Sequence, residues 1–196
     1  MHSNIAAEAG ARAAGESFDN LRTLLHEWGA IGEGVAADDA VATAGAALLD
    51  TAAEPMLDAF TTLASDVTGM PIALISLVDH DRQWFKSAVG LPQGGQTPRE
   101  VSFCGHAVAA SGEEVFEVED ASGDPRFADN PFVVGGPHVA HYAGAPLVMP
   151  GGERIGTLCV VDDKPGRLDA RTRQLLQSLA ASVVRVLLLR ESERNV

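Results

Sequence analysis

The stretch LISLVDHDRQWFKS, residues 74–87, predicts two adjacent strands joined by a short polar turn. Residues 72–78 form an almost continuous apolar run of strand length, which is typical of a central strand covered on both faces. The polar residues 79–81 then reverse the chain, and a second strand follows over about 83–89. The stretch therefore predicts a β-hairpin in which the first strand is buried.

Helices and further strands flank this hairpin. Before it, apolar residues recur at intervals of three and four from Met56 to Val67, and Gly69 follows, so an amphipathic helix is expected there. After it, the pattern predicts a loop at 91–98, a short helix from about 102, a strand at 115–118, a loop at 121–136 with a helical turn at 127–130, strands at 139–148 and 154–161, and a helix at 169–190. Together these elements predict an α+β fold, with one antiparallel sheet, helices on one face and a loop-built pocket on the other.

The chain of 196 residues is long enough for one domain with an appendage. Residues 1–49 are rich in Ala and Gly and are predicted to be a loosely packed extension, and residues 50–193 form the domain. Within the extension, residues 17–28 have helical spacing of apolar side chains and predict a short amphipathic helix. This helix is either a docking element or a free tail.

Composition narrows the classes of partner. The formal net charge of −13 disfavours nucleic acid and anionic lipid, because both would be repelled before a specific contact formed. No secretory signal or membrane span is visible, so a cytoplasmic location is expected. The two cysteines are too few for a disulfide framework or a four-cysteine zinc site, and no metal-binding motif is present.

Five phrases in a fixed order carry a family resemblance: VDHDRQWFKS, TPREVSFCGHA, DPRFADNP, YAGAPL and GTLCVVD. In this order they resemble the GAF domain, and in particular the bacterial subgroup found beside histidine kinases and diguanylate cyclases. The resemblance implies a PAS-like six-stranded antiparallel sheet sandwiched by helices, signalling by ligand binding or dimer contacts, and no chemistry of its own in most members. His141 departs from the subgroup, which usually has an aromatic residue there, and Gly105 departs where Ala is usual.

Residues of these phrases are the candidate ligand-binding set, because polar and charged groups recur beside aromatic rings, as in small-molecule pockets. We expect a small polar or anionic ligand to meet the donors Arg99, His106, Arg126, His141 and Tyr142 and a wall of Phe103, Cys104, Phe127 and Cys159. Structural alternatives remain open for several of them. In these alternatives, His106 would hydrogen-bond a backbone carbonyl and Arg126 would join the two ends of its loop. Both cysteines would serve as small apolar core residues.

The sequence thus predicts a small-molecule-sensing regulatory module that is not an enzyme and needs no cofactor or metal. It would signal through a partner, such as a histidine kinase or diguanylate cyclase, or through a homodimer built on the C-terminal helix with help from the Phe18–Trp28 segment. The enzymatic alternative is a free methionine-(R)-sulfoxide reductase, and a related one is a thiol redox sensor, both using Cys104 and Cys159. A haem or bilin module and an interaction protein with an empty pocket are further alternatives.

Overall fold

In a computed structural model, residues 48–111 and 114–194 are described. The predicted helix at 17–28 lies outside them. The described chain forms helices α1 (Pro55–Thr68), α2 (Phe103–Ala109), α3 (Pro131–Val134) and α4 (Ala170–Arg194), and strands β1 (Ile72–Val78), β2 (Arg82–Val89), β3 (Gln96–Pro98), β4 (Phe116–Val118), β5 (His141–Val148) and β6 (Arg154–Asp162).

The strands form one sheet in the order β3-β2-β1-β6-β5-β4, and every pairing is antiparallel. All seven residues of β1 are buried, as its apolar run predicts for a central strand. The predicted hairpins β1–β2 and β5–β6 are both present. The α+β fold with a six-stranded antiparallel sheet is therefore confirmed.

Two apolar layers cover the two faces of the sheet. On one face, α1 and α4 pack on residues such as Ile75 and Leu158. On the other face, α2, α3 and the loops around them pack on residues such as Leu74 and Cys159. Two short helices therefore lie on the face where the pocket was predicted to be built from loops; the first of them was expected from about residue 102.

Local signals account for the helix boundaries. Gly69 ends α1 in the left-handed conformation, with φ at +69°, and its N–H donates to the Ser65 carbonyl at 2.8 Å. Ser102 caps α2 and Asn130 caps α3 through their side-chain oxygens. Among the described residues, no helix is long and apolar enough to cross a membrane.

Two predicted elements differ from the structure. The loop at 91–98 contains the edge strand β3, which has no apolar pattern of its own and exists because it pairs with residues 82–84 of β2. The helical turn predicted at 127–130 precedes an α-helix at Pro131–Val134. Asn130 caps this helix and Pro131 occupies its first position, where a missing N–H costs nothing.

Candidate functional site

A narrow cavity lies between the sheet and α2. It offers about 60 Å³ to the centres of water-sized molecules. Its wall is mostly apolar and is formed by Ile72, Leu74, Gln83, Phe85, Leu91, Thr97, Ser102, Phe103, Cys104, Phe132, Pro137, Val139, Tyr142, Cys159 and Val161. A space of this size holds a few waters or a small organic molecule.

The position of α2 sets one wall of the cavity. Ser102 Oγ accepts from the Gly105 backbone N–H at 3.0 Å, and it also contacts Gln83 Oε1 on β2. A Cβ at Gly105 would lie 3.1 Å from the Arg99 carbonyl oxygen, a tight contact that glycine avoids. This cap places Phe103 and Cys104, the first two residues of α2, against the cavity.

One polar atom in the cavity wall is unpartnered. The Thr97 side chain is buried, and its hydroxyl has no hydrogen-bond partner within the part of the chain that the structure describes. A buried hydroxyl without a partner costs free energy, so this group favours a ligand atom that bonds to it. Thr97 opens the TPREVSFCGHA phrase, but the sequence did not single it out, because the burial of a Thr in a loop depends on long-range packing.

The two cysteines meet at the cavity. Cys104 Sγ lies 3.6 Å from Cys159 Sγ, and both residues are buried. Tyr142 Oη and Thr157 Oγ1 donate to Cys104 Sγ at 3.2 and 3.1 Å. Burial raises the pKa of the Cys104 thiol, but the hydrogen bonds from Cys159, Thr157 and Tyr142 outweigh burial and lower that pKa to about 7. The cavity wall therefore contains two thiols, of which Cys104 ionises more readily than Cys159.

An aromatic cluster supports the same wall. The Phe103 and Phe127 rings stack with centroids 4.2 Å apart, and the Tyr142 ring lies 5.3 Å from that of Phe103. The His106 ring meets the Phe127 ring edge to face at 4.7 Å. Phe127 thus supports the cavity wall from behind, while Phe103 and Tyr142 line it directly.

Several of the predicted donors make structural contacts outside the cavity. Arg99 donates to the Asp79 carbonyl at 2.9 Å. His106 Nδ1 lies 3.1 Å from the Ser102 carbonyl, the backbone contact that was its structural alternative. Arg126 pairs with Asp124 at 2.6 Å and lies over the Phe127 ring. None of these three donors is among the residues that line the cavity within the described chain.

His141 lies on the opposite face of the sheet from the cavity. Side chains alternate along a strand, so its neighbour Tyr142 faces α2 while His141 faces α4. His141 Nε2 lies 2.8 Å from Glu117 Oε1 on β4, and Arg173 on α4 pairs with the other Glu117 oxygen. The Leu168 N–H also donates to Glu117 at 2.7 Å. The expected anion-binding role of His141 in the pocket thus conflicts with its position.

Comparisons with known proteins agree with this architecture. Residues 52–187 match the model of the GAF domain. The GAF domain from Acinetobacter phosphoenolpyruvate-protein phosphotransferase superposes with a TM-score of 0.56 at 20% identity, covering 92% of this chain and 98% of that one. Free methionine-R-sulfoxide reductase from Neisseria meningitidis superposes with a TM-score of 0.54 at 18% identity, covering 79% and 93%. At these identities the two structures show a shared fold.

A curated relative bears on activity. The chain is 45% identical over 138 residues to "Cyclic di-GMP phosphodiesterase PA2567" from Pseudomonas aeruginosa, a match that covers 70% of this chain. The chain spans 23% of that relative's length. The expectation that the protein is not an enzyme is corrected by this match, because the relative is named as one. The family model covers more than half of the chain, and the chain therefore belongs to the GAF domain family.

Proposed function

We propose that this GAF domain senses a small molecule and thereby regulates cyclic di-GMP signalling. The cavity between α2 and the sheet is the observation that carries the proposal, because its apolar wall contains one unpartnered hydroxyl. GAF domains generally bind small molecules and occur in signalling proteins. The cyclic di-GMP phosphodiesterase relative supports cyclic di-GMP turnover as the regulated activity.

The chemistry of the cavity favours a small, mainly apolar ligand with one hydrogen-bonding group. An anion is less suitable, because Arg99, His106 and Arg126 have protein partners and do not line the cavity. The ligand's polar group would meet the Thr97 hydroxyl, and its apolar part would contact residues such as Phe103 and Val161. Binding would bring the ligand against α2.

Native mass spectrometry of freshly purified protein tests for a co-purified molecule. A titration with n-butanol, monitored through changes in the backbone amide chemical shifts, tests the cavity with a probe that has an apolar chain and one hydroxyl. Val161→Phe should fill the cavity and abolish the shifts, whereas Val148→Phe, on an exposed side chain, should leave them. Thr97→Val should weaken binding by roughly 0.5–1.5 kcal/mol, the net value of a hydrogen bond. The proposal would be rejected if n-butanol changed the chemical shifts of wild type and Val161→Phe equally and native mass spectrometry found no co-purified molecule.

The signalling part has a separate test. In cells that carry this gene, Val161→Phe at the native locus should change the cyclic di-GMP level measured by mass spectrometry. Val148→Phe should leave that level unchanged. If both variants match wild type, the domain has no part in cyclic di-GMP turnover.

Homodimer contacts through α4 are the proposed route for the signal. Leu175, Leu179, Ser182, Val186 and Leu189 follow one another at alternating spacings of four and three residues, the spacing of a coiled-coil seam. The two ends of this seam are exposed, with 42% of Leu175 and 65% of Leu189 accessible. A second copy of the same seam would cover them. The buried face of α4, which includes Leu176 and Val183, would stay on the sheet.

Reduction of free methionine-(R)-sulfoxide is a second candidate function. The 3.6 Å separation of Cys104 Sγ and Cys159 Sγ favours it, because one thiol is in position to resolve an oxidised form of the other. Thiol-dependent turnover of free methionine-(R)-sulfoxide that disappears in Cys104→Ser would support this candidate. Turnover that persists in Cys104→Ser, or no turnover in wild type, would reject it.

A further inference from the structure

Cys104 and Cys159 come from different elements and converge in the cavity wall. Cys104 is the second residue of α2, and Cys159 lies on β6, in register with Leu74 and Gly144. A disulfide requires about 2.05 Å between sulfurs, so these two need to approach by about 1.5 Å. Both thiols are free in the structure.

The surroundings of the two thiols are unequal. Hydroxyl groups of Tyr142 and Thr157 donate to Cys104 Sγ, and donors of this kind stabilise a thiolate. The hydrogen bond with Cys104 and burial raise the pKa of Cys159 well above its usual range. Cys104 is therefore the thiol better placed to ionise, and Cys159 the one better placed to keep its proton.

We propose that Cys104 and Cys159 are a peroxide-responsive dithiol that closes to a disulfide. The Cys104 thiolate attacks one oxygen of a small hydroperoxide; the S–O bond forms, the O–O bond breaks, and the departing oxygen takes up a proton and leaves as water or alcohol. Sulfur is oxidised by two electrons to a sulfenic acid, and the peroxide is reduced by the same two. Cys159 sulfur then attacks Cys104 sulfur, the S–S bond forms, and the hydroxyl leaves as water with the Cys159 proton.

The cavity selects the oxidant by size. About 60 Å³ is open to the centres of water-sized molecules, and both cysteines line this space with only 1% and 0% of their surfaces exposed. Hydrogen peroxide fits this space, whereas an aromatic disulfide reagent does not. Closure of the disulfide would draw α2 toward β6 and alter the wall of the cavity. Oxidation would thus act on the same wall as the ligand.

Intact mass measurement on the wild-type chain tests the inference without any substitution. Reduced protein is treated with a tenfold excess of hydrogen peroxide, quenched with catalase, unfolded and alkylated with N-ethylmaleimide. We expect a monomer lighter by two hydrogens that takes up no maleimide, whereas the untreated chain takes up two. Uptake of two maleimides after treatment, or a disulfide between two chains, would overturn the proposal.

Variants assign the two roles. Cys159→Ala should accumulate a sulfenic acid that dimedone traps, and Cys104→Ala should give no adduct. Thr157→Val should slow adduct formation in the Cys159→Ala background, and Thr157→Ser, which keeps the hydroxyl, should restore the rate. A dimedone adduct on Cys104→Ala would reverse the assignment. If a variant fails to fold, the wild-type mass experiment still decides.

A size control separates this inference from the proposed ligand site. The native chain should be unreactive toward 5,5′-dithiobis(2-nitrobenzoate) while it still reacts with hydrogen peroxide, and the unfolded chain should react with both. Rapid labelling of the native chain by the aromatic reagent would refute selection by the cavity. The n-butanol titration uses reduced protein, so failure of the dithiol leaves ligand binding to be judged independently.

Discussion

Gly144 allows Tyr142 to reach Cys104. It lies on β5, and a Cβ built on it would come within 2.8 Å of the Tyr142 ring carbon Cζ, well inside van der Waals contact. Without a side chain at this position, the outer end of the Tyr142 ring occupies the space above Gly144 and its hydroxyl donates to Cys104 Sγ. The Tyr-Ala-Gly phrase thus has a packing reason as well as a place in the family resemblance.

Gly144→Ala should destabilise the fold by about 1–3 kcal/mol, the usual cost of overpacking a core. Chemical denaturation measures the change. Gly123→Ala is the matched control, because the nearest atom to a Cβ there is 3.9 Å away and stability should hardly change. A Gly144→Ala protein as stable as wild type would show that Tyr142 moves aside without loss.

Asp124 and Arg126 close one end of the long loop. The hydrogen bond from Arg126 holds the pKa of Asp124 below its usual range, while partial burial acts in the opposite direction. Since the folded pKa lies below the unfolded one, the pair stabilises the fold above the unfolded value of about 4. That contribution is lost as the pH falls through the folded pKa.

Asp124→Asn removes the charge and retains the oxygen that accepts from the Arg126 backbone N–H. We expect a loss of roughly 0.2–1 kcal/mol at pH 7, since the Arg126 side chain is half exposed. The difference from wild type in free energy of unfolding should shrink below about pH 4. Arg126→Gln should show the same pH dependence. If the difference in free energy of unfolding between variant and wild type stayed constant from pH 7 to pH 3, the ion pair between Asp124 and Arg126 would not be its cause.

At the level of strands and helices, the alternation of side chains decides what His141 does. Its ring joins β5 to Glu117 on β4, and Glu117 joins both strands to Arg173 on α4. This network lies on the α4 face of the sheet. It connects the strand that carries Tyr142 to the helix that we propose as the dimer element.

His141→Phe should therefore affect stability and leave cavity binding unchanged. Glu117 would lose one of its partners while buried, and a cost of about 1–3 kcal/mol is expected. The n-butanol titration should match that of wild type. Phe127→Leu is a useful comparison, because it loosens the aromatic cluster on the cavity side and should alter the titration. Loss of butanol binding in His141→Phe, with stability unchanged, would place His141 in the ligand site after all.

Apolar runs made most elements predictable from the sequence, because β1 and α4 carry their own patterns. Edge strand β3 was missed, since residues 96–98 are polar and become a strand only by pairing with β2. For the site, Phe103, Cys104, Tyr142 and Cys159 were expected and line the cavity. Alternation along the predicted strand already implied that His141 and Tyr142 could not both face the pocket. Which of the two does so, and the burial of Thr97, could not be predicted because they depend on strand register and on long-range packing.

For the molecule as a whole, the way α4 packs on the sheet decides which of its Leu and Val residues can be substituted to test a dimer. Val184 is buried against the sheet, so Val184→Glu would unfold the domain rather than test a dimer. Leu188 is partly buried and packs against the same core. The exposed seam residues Leu175 and Leu189 are the informative positions.

The double variant Leu175→Glu/Leu189→Glu should be a folded monomer at roughly tens of micromolar, a concentration at which we expect the wild-type chain to be a dimer. Burial of apolar surface drives this association at about 25 cal/mol per Å², and two carboxylates in the seam would remove it. Gln174→Glu/Ala181→Glu is the matched control, since both positions are exposed and lie off the seam on the same helix. Sedimentation velocity measures the masses, and circular dichroism verifies the fold. A monomeric wild type, or a double variant that remains dimeric, would exclude α4 as the dimer element, and the ligand signal would then need to reach its partner by a different surface.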